Sequence, residues 1–376
     1  MRRARRRSIP PTLTLAGLGL AGASGAAWVW ARRALAAVPV DFRHPLALLP
    51  PGPSTLRQLR IMRRAIAFTT PMAPGVARRE HHIARTSAPG ATRVYIYEPM
   101  VRSGRTGALV WIHGGGYVMG TAQQDHATAS RLAADLGIVV VSVDYRLAPE
   151  HPFPAGLDDC YDALVWTAGH ADSLDIDPTR IAVGGASAGG GMAAALAQLA
   201  LDRGGPAVCF QALRYPMLDD RTASPADKAR PDARVWGKAA NVFAWNQYLG
   251  RPAGSDHAPA HAVPSRRENL AELAPAWIAV GDTDLFHDEC VEYARRLRAA
   301  GVQCELVVVP GMYHGADVLR PHAGPVVDLV GSMTAALRHA LVAADSHPAR
   351  AAEVASPPGP ASPYDLGLAG SPSAQG

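Results

Sequence analysis

The chain has 376 residues, 48% of them hydrophobic and 18% charged, which is enough apolar material for one large core and excludes a wholly disordered chain. Its four cysteines exclude a small disulfide-stapled scaffold. The net charge of +5 traces to seven arginines within residues 1–40, a stretch with no Asp or Glu; the rest is slightly acidic and lacks the basic stripe that a nucleic-acid partner requires.

Taken in chain order, Met1–Arg7 is basic, and Ser8–Ala31 is uncharged and ends in Trp28, Val29 and Trp30 before Arg32 and Arg33. A charged start before an apolar run is the pattern of an anchor or an export signal, and the tryptophans suit a membrane interface. Ala34-Leu35-Ala36 has the small-x-small form of a cleavage site. The expectation is a segment, residues 1–36, that associates with a membrane through residues 8–31 with the body facing outward, or that is removed on export; a soluble leader and a cytoplasmic location are the alternative. At the other end, residues 346–376 are rich in Pro, Ala, Ser and Gly, with no periodic apolar pattern. That composition predicts a disordered tail.

Between these ends, Val40–Pro74 reads as helical or irregular. His82–Pro89 and Thr92–Glu98 read as strands, followed by a short apolar strand at Ala108–Ile112 and a helix at Asp125–Leu136. The β-branched run Ile138–Val143 marks a strand buried on both faces. A helix at Leu157–Ala168, a strand at Ile181–Val183 and a glycine-rich helix start follow. Further strands are expected at Gln211–Tyr215, Trp277–Val280 and Cys304–Val309, with helices at Glu289–Ala300 and Val326–Ala343. This alternation predicts an α/β fold with a mostly parallel sheet covered by helices on both faces. Asp219–His261 breaks the pattern with polar, Pro-containing sequence and one helix near Lys238–Leu249. It is expected to join residues 40–74 as a cap on a domain spanning 37–345.

The chemistry concentrates in four places. Gly185-Ala186-Ser187-Ala188-Gly189 is a G-x-S-x-G between a strand and a helix, the setting of a nucleophile elbow in which only small neighbours fit. His113-Gly114-Gly115-Gly116-Tyr117 follows the strand Ala108–Ile112. Its glycines free backbone N–H groups to turn toward one point, where with the N–H of Ala188 they can form an oxyanion hole. His113 reads as a brace for that loop rather than a base. His314, in Gly311–Gly315 past the strand ending at Val309, is positioned to swing over Ser187. Three carboxylates follow Trp277–Val280: Asp282 near the strand, Asp284 in the loop, and Asp288 at the next helix, where it suits a cap. The order Ser187, Asp284, His314 matches that of α/β-hydrolases.

Together these motifs make the stretch from about Arg93 to Ala343 resemble the hormone-sensitive-lipase-like family of bacterial esterases, within the α/β-hydrolase fold. The residues that carry the resemblance are His113–Tyr117, Asp144-Tyr145-Arg146-Leu147-Ala148-Pro149-Glu150-His151-Pro152-Phe153-Pro154-Ala155, Gly185–Gly190, Tyr215-Pro216 and Asp284-Leu285-Phe286-His287-Asp288-Glu289. One departure is Ala186, where the family often carries an acid before the serine. The resemblance implies Asp284 as the acid of a triad with Ser187 and His314. It also implies Gly115, Gly116 and Ala188 as oxyanion donors, and a carboxylesterase acting on a small-molecule ester without metal or cofactor. The same machinery would serve an amidase or deacylase. A membrane-tethered binding protein would be expected to have lost one of the three residues, and all three are present. Among lesser signals, Cys160, Cys209, Cys290 and Cys304 read as free thiols, His81-His82 lacks a carboxylate at ligand spacing, and Trp236, Phe243, Trp245 and Tyr248 either line an acyl pocket or hold the cap down.

Overall fold

The structure is a computed structural model that describes residues 32–49, 51–65, 70–102, 104–223 and 233–342. Its frame is one eight-stranded sheet: β1 (Val76–Ala84), β2 (Ala91–Pro99), β3 (Thr106–Ile112), β4 (Val139–Asp144), β5 (Ile176–Ala186), β6 (Val208–Arg214), β7 (Ala276–Gly281) and β8 (Cys304–Val309). The strand order is β1-β2-β4-β3-β5-β6-β7-β8. β1 pairs antiparallel with β2, and β2 with β4; every pairing from β4 to β8 is parallel. This is the mostly parallel sheet the alternation predicts.

β4 carries Val139, Val140, Val141 and Val143, all buried. β-Branched side chains suit a strand with neighbours on both faces, and burying each one stabilises by about 1.5–3 kcal/mol. The longer helices are α1 (Leu56–Ala65), α2 (His126–Leu136), α3 (Ala155–Gly169), α4 (Ala188–Asp202), α5 (Lys238–Leu249), α6 (His287–Ala299) and α7 (Gly324–Leu341). α2 packs with α7, and α3 with α4, so two groups of helices cover the sheet. Helix α2 stops at Gly137, whose φ of +69° is the left-handed C-cap that glycine supplies readily.

The topology places the site. From β3 the chain turns to β4 on one side, whereas from β5 it turns to β6 on the other. The C-terminal ends of β3 and β5 therefore border the crevice at a switch of direction, where open parallel sheets bind ligands. The stretches around Pro51 and Gly237 meet through one backbone hydrogen bond. The N–H of Gly237 donates to the carbonyl of Pro51 at 3.2 Å, and α5 docks through Tyr248, stacked on Tyr117 at 4.0 Å, with Trp245 5.2 Å from the same ring.

Two expectations change. The first strand begins at Val76, not His82, and ends at Ala84. Its Arg78, Arg79 and Glu80 are exposed on an antiparallel edge, where no apolar alternation is needed. The expectation of a membrane anchor is also corrected: no helix among the described residues is long and apolar enough to cross a membrane. The segment 8–31 from which it came, like the 346–376 tail, lies outside the described residues. The four cysteines are free, Cys160 and Cys290 buried, Cys209 and Cys304 partly so.

Candidate active site

Ser187 sits between the last residue of β5 and the first of α4, with φ +56° and ψ −123°. A non-glycine residue in this region is strained, and such strain persists only where neighbours hold it. Three backbone bonds do so: the Ser187 N–H donates to Arg214 O at 2.9 Å, and its carbonyl accepts from Gly191 and Met217, both at 3.0 Å. The hydroxyl is thereby presented at the N-terminus of α4, where the helix dipole favours negative charge.

Two residues from distant loops converge on it. His314 Nε2 lies 3.0 Å from Ser187 Oγ, and His314 Nδ1 lies 2.9 Å from Asp284 Oδ2. The carboxylate can only accept, so Nδ1 carries the proton and Nε2 is left with a lone pair toward the serine hydroxyl. Asp284 also accepts from the Phe286 N–H at 2.9 Å through Oδ1. The imidazole is held edge-on between Tyr215, at 4.8 Å, and Phe286, at 5.0 Å. All three polar residues are buried.

The competing carboxylates have other positions. Asp282 accepts from the Gly311 N–H at 2.6 Å and so shapes the loop that leads to His314. The Asp288 side chain is 86% exposed, beside His287. Of the three acids, the structure brings Asp284 to His314.

The glycine loop runs against Ser187. A Cβ at Gly114 would lie 3.4 Å from Ser187 Cβ. Gly115 and Gly116 have φ of +131° and +61°, which turn their N–H groups away from an extended path. Among the described residues, the N–H groups of Gly115, Gly116 and Ala188 find no protein acceptor. His113 is buried and donates from Nδ1 to Gly114 O at 2.8 Å, while Tyr145 stacks on it at 4.3 Å and donates to its carbonyl at 3.0 Å. Burial pushes its pKa down, so the ring stays neutral and acts as the brace expected.

The signature after β4 is also structural. Asp159 takes the Arg146 N–H at 2.8 Å. Glu150 pairs with Arg63 of α1 at 2.8 Å, and that hydrogen bond holds its carboxyl below the usual range. Arg63 also donates to Val118 O and Ala148 O, each at 2.7 Å, and so ties α1 to the glycine loop. Of the aromatics near α5, Trp245 and Tyr248 hold the helix to Tyr117, whereas Trp236 lies directly over Gly116. Arg63 and this role of Trp236 were not foreseeable, because only the assembled fold brings them to the loop.

Comparison with known proteins adds four findings. A family model described as alpha/beta hydrolase fold matches residues 109–318. Carboxylesterase NlhH of Mycobacterium tuberculosis is 37% identical over 303 residues, 80% of this chain and 88% of that protein. Ethyl acetate hydrolase of Pseudomonas putida is 38% identical over 214 residues, 55% of this chain and 65% of that one. Among solved structures, one titled Bacterial Heroin Esterase superposes with a TM-score of 0.77 at 33% identity, covering 82% of this chain and 99% of that one.

Proposed function

This chain belongs to the α/β-hydrolase-fold family of esterases and lipases and is a serine-type carboxylic ester hydrolase; we propose that Ser187 is its nucleophile, His314 its general base and Asp284 the acid that orients the base. The observation that carries the assignment is the pair of contacts on one imidazole, 3.0 Å to Ser187 Oγ and 2.9 Å to Asp284 Oδ2.

The reaction follows from that geometry. Nε2 of His314 takes the hydroxyl proton as Ser187 Oγ bonds to the ester carbonyl carbon. The oxygen of that carbonyl becomes an oxyanion held by the N–H groups of Gly115, Gly116 and Ala188, each such donor being worth about 3 kcal/mol in a water-excluded site. The imidazolium, paired with Asp284, protonates the departing alkoxide and leaves an acyl ester on Ser187. Nε2 then deprotonates water, which attacks the acyl carbon, and collapse returns the serine hydroxyl and releases the acid. No step needs a metal or an organic cofactor.

The narrower placement, in the hormone-sensitive-lipase-like branch, rests on the motifs at His113–Tyr117, Asp144–Ala155 and Asp284–Glu289. The domain reading is 37–345, with a cap from about 40–74 and 219–261; the Gly237–Pro51 bond and the Tyr117–Tyr248 stack support it. The substrate is an ester with a short to medium acyl chain, roughly four to eight carbons, because an apolar pocket favours longer chains only until it is filled. Trp236 over Gly116 limits the space beside the oxyanion loop. A relative named for ethyl acetate hydrolysis fits a small substrate. The test is kcat/KM over p-nitrophenyl esters of increasing acyl length, with matched anilides alongside. The expected curve rises, peaks and falls on esters with little anilide turnover; a curve still rising at palmitate overturns the acyl-length reading, and anilide turnover matching the esters overturns the ester preference.

A further inference from the structure

Behind the His314 ring lies a buried ion pair that the hydrolytic steps above do not use. Arg214 is the last residue of β6, and Asp317 stands in the short helix Ala316–Leu319, just past His314. Arg214 Nη1 lies 3.1 Å from Asp317 Oδ2, and both residues are buried. The Tyr215 hydroxyl donates to Asp317 at 2.8 and 2.9 Å to its two oxygens, while the Tyr215 ring meets the imidazole edge-on at 4.8 Å. The carbonyl of Arg214 is the acceptor of the Ser187 N–H, at 2.9 Å. One residue thus ties the turn of the nucleophile with its backbone and the loop of the base with its side chain.

An ion pair in this position is an expensive fastener. Taking two charges out of water is costly, and well-packed apolar side chains often serve stability as well or better. Its distinctive property is the charge it puts beside a histidine that must gain and lose a proton. Resting on the assignment of Ser187, His314 and Asp284, we propose that Arg214 and Asp317 are positioning residues: they pin the histidine loop to the end of β6 and set the field in which His314 takes up the serine proton.

The sign follows from what surrounds the ring. Asp284 faces Nδ1, Ser187 faces Nε2, and the Tyr215 and Phe286 rings cover its sides. Behind Tyr215 stand Asp317 and Arg214, and Arg214 lies over Trp111, 5.5 Å from the ring centre. Asp125 accepts the Trp111 indole N–H at 2.7 Å, and burial pushes its carboxyl above the usual range. Burial opposes the Arg214 charge, but Tyr215 and Asp317 outweigh it and hold the guanidinium above its ordinary value. The Asp317 anion therefore favours the imidazolium, and the Arg214 cation, which cannot shed its proton, opposes it. Neutralising Asp317 alone leaves an uncompensated cation near the ring, which disfavours the imidazolium and moves the acid limb of the pH–rate profile to lower pH.

The experiment compares wild type with Asp317→Asn and with the double variant Arg214→Met/Asp317→Leu. Active serine is titrated with a fluorophosphonate, and kcat is expressed per titrated site. For Asp317→Asn the expected result is kcat per site lower by about tenfold to a hundredfold, KM within about twofold, and an acid limb shifted down by roughly half to one pH unit. The double variant, with neither charge, is expected to return the acid limb to its wild-type place while kcat per site stays low. If Asp317→Asn does not fold, Tyr215→Phe tests the same link, with kcat per site expected to fall about threefold to tenfold at constant KM. Unchanged kcat per site and an unmoved acid limb in Asp317→Asn, however far its melting point falls, overturn the inference, as does unchanged kcat per site in Tyr215→Phe. A wild type that takes no label at any serine removes the triad assignment itself, and this inference with it.

Discussion

The indole of Trp236 rests on Gly116: a Cβ built at Gly116 would come within 2.2 Å of the indole Cη2. Val235 beside it has φ +64°, a strained value for a β-branched residue, and a Cβ at Gly315, next to His314, would lie 3.5 Å from Val235 Cγ1. The consecutive residues Val235 and Trp236 therefore reach from the histidine loop to the glycine loop.

This contact predicts that Trp236→Ala moves the peak of the acyl-length profile to longer chains, with gains of about fourfold per added methylene until the new space is filled. Truncating a buried Trp costs about 3–5 kcal/mol, so Trp236→Phe serves as the better-folded comparison, with a smaller shift in the same direction. Chain-length profiles of the three proteins check this; three curves with one shared peak would show that the indole only fastens the cap.

Among the carboxylates after β7, Asp284→Asn should reduce kcat by about 10³- to 10⁴-fold, because an amide at this position no longer fixes the Nδ1–H tautomer. Asp288→Asn, exposed on α6, should stay within about twofold of wild type. Asp282→Asn should fall between them, since it loosens the loop through Gly311 without touching the imidazole. Steady-state rates of the folded variants order the three, and a dead Asp288→Asn would displace Asp284 from its role.

Glu289 gives a pH-linked prediction. Its buried carboxyl accepts from Leu218 N–H at 2.7 Å and from the Thr222 hydroxyl, so it holds the chain between Leu218 and Thr222 in place. Burial pushes its pKa well above the usual carboxylate range. A folded-state pKa raised above the unfolded value contributes stability that is full below the unfolded pKa and lost as pH rises through the folded one. Wild type should therefore lose thermal stability across that rise, and Glu289→Gln, which carries no proton to lose, should lose less. Melting temperatures of both proteins from acid to mildly alkaline pH check this; parallel curves would contradict it.

How much of this was legible follows from how local each feature is. Ser187, the glycine loop and His314 are written in short backbone motifs that need glycines at fixed spacing, so the sequence alone placed them. Asp284 needed the order of the loop and the family pattern to stand apart from Asp282 and Asp288. Other features could not be read. Arg78, Arg79 and Glu80 made half of β1 look like loop, because an edge strand needs no alternation. Arg214 and Asp317 look like ordinary surface charges in the chain, and only the packing of the histidine loop on β6 buries them together. Trp236 has two equally good roles until Gly116 is found beneath it.

The central claim, that Ser187 is the residue His314 activates, is tested most directly by labelling with a fluorophosphonate followed by peptide mapping. The account predicts one label per chain, on Ser187, formed on wild type, absent from Ser187→Ala, and slowed by several orders of magnitude in His314→Ala while the fold is retained. A label on another serine, or equal labelling of folded wild type and His314→Ala, would contradict it.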